Sequence, residues 1–146
     1  MKKEAVILIV EDDEGHTSLI IKNLKRAGIL NEMICFKDGQ EILDFLFTKK
    51  EEHKDMSFLI LLDIRMPKVD GLEVLKKIKT DVFLKRIPVI IITTTDEPVE
   101  VEGCHELGCN NYIKKPIDYN KFVETIKRLG LFLMVIEIPT ITSIQY

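Results

Sequence analysis

Short apolar runs alternate with amphipathic stretches along most of the chain. Runs that are apolar on both faces are typical of strands inside a parallel sheet, whereas apolar residues three or four positions apart indicate helices. The predicted strands cover residues 5–10, 32–36, 58–62, 88–92 and 111–113. The predicted helices cover residues 15–27, 38–47, 72–78 and 98–107, followed by a last helix capped by Asp118 with Phe122, Ile126 and Leu129 facing inward.

This alternation of strands and helices predicts the fold class. Strand–helix–strand units join parallel strands by right-handed crossovers, so we expect an α/β fold with a doubly wound, five-stranded parallel sheet. Two segments fit the pattern less well. The helix at 98–107 contains Gly103 and two β-branched residues, and glycine alone lowers helix propensity by up to about 1 kcal/mol. The polar segment 48–57 is expected to be an exposed loop.

Composition and charge narrow the possible functions. The 146 residues suit one domain, and 46% of them are hydrophobic and 31% charged, as is usual for soluble globular proteins. A net charge of −3 argues against nucleic-acid binding, which usually requires a basic face. The apolar run near the amino terminus is too short for a signal peptide or a membrane span. Three cysteines without metal-binding spacing are expected to be reduced, so we expect a cytoplasmic protein.

Polar residues follow four of the predicted strands. Glu11 and Asp12 follow the first strand, Asp63 the third, Thr93 the fourth and Lys115 the fifth. Because the carboxyl ends of parallel strands meet at one edge of the sheet, we expect these side chains to converge there. Grouped carboxylates favour a hard divalent cation such as Mg²⁺, and a lysine and a threonine can hold a phosphoryl oxygen. No glycine-rich nucleotide-binding loop is present, so the site is expected to handle one phosphoryl group on Asp63.

Four motifs together resemble the receiver domain of response regulators in two-component signalling. They read ILIVEDD at 7–13, LLDIRMPKVDG at 61–71, IPVIIIT at 87–93 and YIKKP at 112–116. Thr93 and Lys115 follow Asp63 by 30 and 52 positions, as in chemotaxis-type receivers. The resemblance implies a flavodoxin-like (βα)5 fold with strand order 2-1-3-4-5. It assigns residues 4–133 to the receiver domain and 134–146 to a carboxyl-terminal extension related to dimerisation.

The resemblance also implies a role for each site residue. Asp63 would accept the phosphoryl group, Thr93 would bond a phosphoryl oxygen and Lys115 would pair with it. Thr93 and Tyr112 would form the switch that reports phosphorylation. The implied Mg²⁺ ligands are Glu11, Asp12, Asp63 and the backbone carbonyl of Arg65, with Asp12 the favoured direct ligand.

Three further expectations concern residues next to the site. Asp13 would be an extra acid outside the metal shell. Lys114 would point to the face of the strand opposite Lys115, because side chains alternate along a strand. The bond between Lys115 and Pro116 is expected to be cis, an isomer that proline tolerates.

The implied partners follow from the same resemblance. A histidine kinase or a phosphotransfer protein would supply the phosphoryl group, and the protein would signal by protein–protein contacts. It would catalyse only its own phosphorylation and dephosphorylation. The charged segment 48–57 and the apolar ending resemble phytochrome-associated, single-domain response regulators, which implies a phytochrome-type kinase and a homodimer. The apolar tail at 131–146 independently favours a homodimer, since it needs cover from its own domain or from a second subunit.

Two alternatives stay open. A phosphatase of the haloacid-dehalogenase type also uses an aspartyl nucleophile and Mg²⁺, but that class carries Asp-x-Asp after its first strand. Here the candidate nucleophile follows the third predicted strand, and Arg65 occupies the place of the second aspartate. A receiver that serves only in dimerisation would be expected to lack the acids or the lysine, and this chain retains them.

Overall fold

Strands and helices alternate through residues 1–48 and 50–141, the part of the chain that the computed structural model describes. Its strands are β1 (Val6–Val10), β2 (Met33–Phe36), β3 (Phe58–Leu62), β4 (Val89–Thr93) and β5 (Asn111–Lys114). Its α-helices are α1 (Glu14–Arg26), α2 (Gly39–Thr48), α3 (Lys50–His53), α4 (Gly71–Lys79), α5 (Pro98–Glu106) and α6 (Tyr119–Val135). In this part of the chain, no helix has the length and apolar character that crossing a membrane requires.

The five strands form one parallel sheet in the order β2-β1-β3-β4-β5. The predicted fold class and strand order are therefore confirmed. All residues of β1, β3 and β4 are buried, as expected for strands covered on both faces. Val10 pairs with Leu62, so β1 and β3 end side by side and the residues that follow them emerge at the same level of the sheet.

Two apolar layers cover the sheet. On one face, alternate strand residues pack against α1 and α6 through side chains that include Leu24, Phe122 and Ile126. On the other face, the remaining strand residues pack against α2, α4 and α5 through side chains that include Leu46 and Leu75. Alternation of side chains along each strand therefore divides the core in two and keeps the sheet rigid between the helices.

The helix with the weakest sequence pattern does form, as α5. Pro98 occupies its first turn, which suits a residue without a backbone N–H. Its N-cap residue, Glu97, makes no side-chain capping bond, and Cys104 is its one buried residue. Helix α5 is therefore held by less apolar packing than the other long helices.

The predicted exposed loop at 48–57 is wrong in part, because it contains the short helix α3. The ring of His53 stacks on Phe45 with centroids 4.6 Å apart, and its Nε2 lies 3.0 Å from the Phe45 carbonyl oxygen. His53 thus packs an otherwise polar segment against α2. The many charged residues of this segment give no indication of that contact.

The apolar tail is covered partly by its own domain. Ile138 joins the core beside α1 and α6, and Ile141 joins the opposite core layer, where its N–H donates to the Met56 carbonyl at 3.2 Å. The last helix nevertheless leaves large apolar side chains exposed at its end, namely Leu131, Phe132, Met134 and Val135. The rest of the predicted tail, 142–146, lies outside the described residues.

The contact between α1 and α6 predicts a difference between two glycines. A Cβ atom at Gly130 would lie 2.6 Å from the Ala27 Cβ, so Gly130→Ala would push α6 away from α1. We expect the free energy of unfolding, measured by urea denaturation, to fall by about 1–3 kcal/mol.

Gly103→Ala in α5 is the matched control, since a Cβ there would meet nothing within 4 Å. This change should raise the free energy of unfolding by about 0.5–1 kcal/mol, because alanine restricts the unfolded chain and favours helix. Stabilisation by Gly130→Ala would contradict the proposed packing.

Candidate functional site

Three parallel strands deliver the predicted acids and the lysine to one edge of the sheet. Glu11 and Asp12 follow β1, and the Glu11 N–H donates to the Phe36 carbonyl at 3.0 Å. Asp63 follows β3, and its N–H donates to the Val10 carbonyl at 3.0 Å. The ladder hydrogen bonds therefore continue one residue past each strand and fix both backbones before their side chains turn into the site.

The three acids form a compact oxygen cluster. One carboxylate oxygen from each of Glu11, Asp12 and Asp63 lies within 4.8 Å of the others, and this is the one such group of metal-binding side chains in the described part of the chain. Glu11 and Asp63 are buried and Asp12 is exposed. A set of oxygen donors with one solvent-facing member suits a hard cation that retains water, as Mg²⁺ does.

Burial has the largest effect on the pKa of the Glu11 carboxyl. It raises the pKa of the Glu11 carboxyl to about 7; the hydrogen bond from Lys115 acts in the opposite direction, and the negative charge of Asp63 raises the pKa further. Two carboxylates at this edge therefore need a positive neighbour.

Lys115 supplies that positive charge. Its side chain is only 2% exposed, and its ammonium group donates to Glu11 Oε1 and, at 3.1 Å, to Asp63 Oδ2. The ammonium also lies 3.1 Å from Nδ1 of His16 on α1. The sequence motifs do not single out His16, although its place in the first turn after the acids is a signal that the chain offers.

Thr93 ends β4 beside this cluster. Its hydroxyl is buried and has no hydrogen-bond partner, while its carbonyl accepts the Lys115 N–H at 2.6 Å. A buried hydroxyl without a partner is unfavourable and is ready to bond an oxygen that enters the site.

Tyr112 lies on β5, where it pairs with Ile91 of β4. Its ring is half-buried and its hydroxyl donates to the Thr95 carbonyl at 2.7 Å. Burial raises the pKa of this hydroxyl to about 12, so the group remains a donor. Tyr112 thus bonds to the backbone two residues after Thr93.

Arg65 connects the acidic cluster to helix α5. Its N–H donates to Asp63 Oδ1 at 3.1 Å, and its guanidinium group lies 3.0 Å from Glu100 Oε1. Gly71 closes the same loop, where its N–H donates to the Ile64 carbonyl at 2.9 Å and a Cβ would collide with the Asp63 backbone. The predicted use of the Arg65 carbonyl as a metal ligand stays a prediction.

The side chains of Asp13 and Lys114 make contacts outside the acidic cluster. Asp13 caps α1 by accepting the His16 N–H at 3.0 Å, a bond that lowers the pKa of the Asp13 carboxyl. Lys114 points away from Lys115 and pairs with Asp96 at 2.8 Å. The predicted cis bond between Lys115 and Pro116 is wrong: the bond is trans, the isomer that bonds before proline favour by about 0.5–1 kcal/mol.

Comparison with known proteins identifies similar sequences. A family described as "Response regulator receiver domain" matches residues 7–127. Response regulator Rcp1 from Synechocystis sp. is 37% identical over 128 residues, which cover 87% of this chain and 87% of Rcp1.

Solved structures agree with this match. A response regulator receiver domain from Rhodospirillum rubrum superposes with a TM-score of 0.89 at 41% identity, over 92% of this chain and 97% of that one. The Mn²⁺-bound form of Rcp1 gives 0.83 at 34% identity, over 92% and 99%. The phosphorylated cyanobacterial phytochrome response regulator RcpA gives 0.82 at 33% identity, over 92% and 98%.

The buried charge pair predicts unequal roles for the two adjacent lysines. Lys115→Met would leave Glu11 and Asp63 together without a cation, and we expect the free energy of unfolding at pH 8 to fall by about 3 kcal/mol. Lys114→Met removes only an exposed pair that solvent screens, so its loss of stability should be much smaller. Urea denaturation of both variants measures the difference; equal losses would show that Lys115 does not compensate the buried acids.

Proposed function

Because the chain belongs to the response regulator receiver family, we propose that Asp63 accepts a phosphoryl group from a histidine kinase or a phosphotransfer protein. One observation carries the proposal: the Asp63 carboxylate belongs to a cluster of three acids and accepts a hydrogen bond from the buried Lys115 ammonium. Thr93, whose buried hydroxyl has no partner, accepts the Lys115 N–H with its carbonyl. Charged groups held in fixed positions are what phosphoryl transfer requires of a protein.

In the proposed reaction, a carboxylate oxygen of Asp63 attacks the phosphorus of a phosphohistidine. The new O–P bond forms as the P–N bond breaks, and the imidazole leaves with the electron pair. The Lys115 ammonium and the Thr93 hydroxyl would stabilise the negative charge on the phosphoryl oxygens. The protein otherwise positions the reactants, and we propose that it catalyses only its own phosphorylation and dephosphorylation.

We propose Mg²⁺ as the cofactor, held by Glu11, Asp12 and Asp63 with the backbone carbonyl of Arg65. The oxygen-only donor set fits this ion, and the related Rcp1 has a structure in its Mn²⁺-bound form. When bound, the ion would neutralise charge on the carboxylates and the phosphoryl oxygens. The haloacid-dehalogenase alternative loses its support, since the chain belongs to the receiver family.

Phosphorylation would then be read through Thr93 and Tyr112. The Thr93 hydroxyl would bond a phosphoryl oxygen, and the Tyr112 bond to the Thr95 carbonyl would respond through the connecting backbone. The Arg65–Glu100 ion pair gives a second connection, from the acceptor loop to the weakly packed helix α5. We propose that the surface formed by α5, β5 and α6 carries the signal to a partner protein.

The proposed setting follows the family. RcpA is a phytochrome response regulator, and we propose a phytochrome-type kinase as the phosphodonor of this chain. We further propose a cytoplasmic protein that does not bind nucleic acid, consistent with its net charge of −3.

A homodimer is the proposed assembly. Leu131 and Val135 lie one helical turn apart at the end of α6, and both are exposed, together with Phe132 and Met134. Four large apolar side chains at one helix end form a patch that a second copy would cover.

The phosphorylation proposal predicts a simple mass change. Wild-type protein treated with acetyl phosphate and Mg²⁺ should gain one phosphoryl group in intact-protein mass spectrometry, whereas Asp63→Asn should gain none. Removal of Mg²⁺ with a chelator should also prevent the gain. Asp44→Asn is the matched control, because it makes the same change at an exposed acid on α2 that contacts Gln40 rather than the cluster. Unchanged labelling of Asp63→Asn, or an unreactive wild type, would contradict the proposal.

The dimer proposal predicts that charge at the end of α6 separates the subunits. Wild-type protein should have the mass of a dimer by light scattering, and the double variant Leu131→Glu, Val135→Glu should have the mass of a monomer. Lys121→Glu, an exposed change about three turns before Leu131 on the same helix, should remain dimeric. Equal masses for wild type and the double variant would contradict a dimer formed through this patch. These point variants are preferable to truncation after Leu133, which would also remove the buried Ile138 and Ile141.

A further inference from the structure

The Lys115 ammonium has one acceptor for each of its three hydrogens. Two are the carboxylates of Glu11 and Asp63, and the third is Nδ1 of His16, at 3.1 Å. An ammonium group has three N–H donors and no acceptor. His16 therefore completes the hydrogen bonding of a lysine that is almost fully buried.

Contacts from two helices hold the His16 ring in place. The backbone N–H of His16 donates to the capping carboxylate of Asp13 at 3.0 Å, which fixes the first turn of α1. The ring meets Phe122 of α6 edge to face, with centroids 5.5 Å apart and planes at 88°. Because Lys115 can only donate, the facing Nδ1 accepts and the ring hydrogen lies on Nε2, which is 3.9 Å from Asp13 Oδ2.

We propose that His16 is a positioning residue for phosphoryl transfer, which acts by holding the Lys115 ammonium beside Asp63. The inference rests on the proposed function. When Asp63 is phosphorylated, Lys115 must exchange a carboxylate oxygen for a phosphoryl oxygen, and its bond to His16 is the one neutral contact that need not change. Without this acceptor the ammonium would shift toward Glu11. Even a small displacement of a charged group lowers the rate of a reaction that depends on how the reactants are positioned.

A pair of variants isolates the acceptor atom. In His16→Asn, the side-chain oxygen is bonded to Cγ, as Nδ1 is in histidine, so an acceptor remains near the same place. In His16→Leu, the side chain has nearly the shape of asparagine but no acceptor. Both lose the ring contact with Phe122, so this loss cancels in the comparison. The measurement is the rate of phosphorylation by acetyl phosphate with Mg²⁺, followed by mass spectrometry. Ser18→Ala, an exposed change on the same helix, shows the effect of a substitution in α1 that does not contact Lys115.

We expect His16→Leu to react about tenfold more slowly than wild type, as for one lost charge-assisted hydrogen bond, and His16→Asn to stay within about threefold. A second readout is independent of phosphorylation: ¹⁵N NMR of the unmodified protein should show the hydrogen of His16 on Nε2. Equal rates for the Leu and Asn variants, or a hydrogen on Nδ1, would overturn the positioning role while wild-type labelling remains intact. An unreactive wild type would instead overturn the proposed function, and the positioning role with it.

Discussion

The buried ammonium of Lys115 between the carboxylates of Glu11 and Asp63 is the interaction on which this edge of the sheet depends. Removal of one partner from a buried ion pair costs about 3–5 kcal/mol, a large part of the 5–15 kcal/mol that holds a typical domain together. The three residues come from different parts of the chain and meet only when β1, β3 and β5 end in register. The charges therefore constrain the strand ends, and the apolar strands in turn hold the charges out of water.

The surroundings of this cluster differ in how firmly they are held. The acids leave strands that are buried along their whole length, and the loop after Asp63 packs so closely at Gly71 that a methyl group would collide with backbone. Helix α5 has one buried residue and no side-chain cap. It is nevertheless tied to the acceptor loop through Arg65 and Glu100. A firm site connected to a loosely packed helix is an arrangement in which a local change of charge can alter a distant surface.

The sequence predicts well whatever depends on neighbours along the chain. Apolar runs identify the buried strands, and α5 forms where its weak pattern places it: Cys104 packs into the core, and Gly103 lowers helix propensity by only about 1 kcal/mol. The parallel strands bring Glu11, Asp12, Asp63 and Lys115 together as expected. The sequence does not predict contacts between side chains of separate elements and loops, such as those of His16 with Lys115, Arg65 with Glu100, and His53 with Phe45. Each depends on distances set only by the complete fold, as does the cover that the domain gives to Ile138 and Ile141.

The position of Tyr112 changes how the proposed switch should be understood. Its hydroxyl bonds to the Thr95 carbonyl, which connects the ring to the backbone two residues after Thr93. Phosphorylation would then act on both residues through one short segment, as a shift of populations toward the arrangement in which the Thr93 hydroxyl is bonded. A partner for the Thr93 hydroxyl supplies about 1–3 kcal/mol, whereas reversal of a 1:99 equilibrium requires about 5.5 kcal/mol. The remainder would come from the charges around Asp63, among them the Lys115 ammonium, and from the ion pair between Arg65 and Glu100.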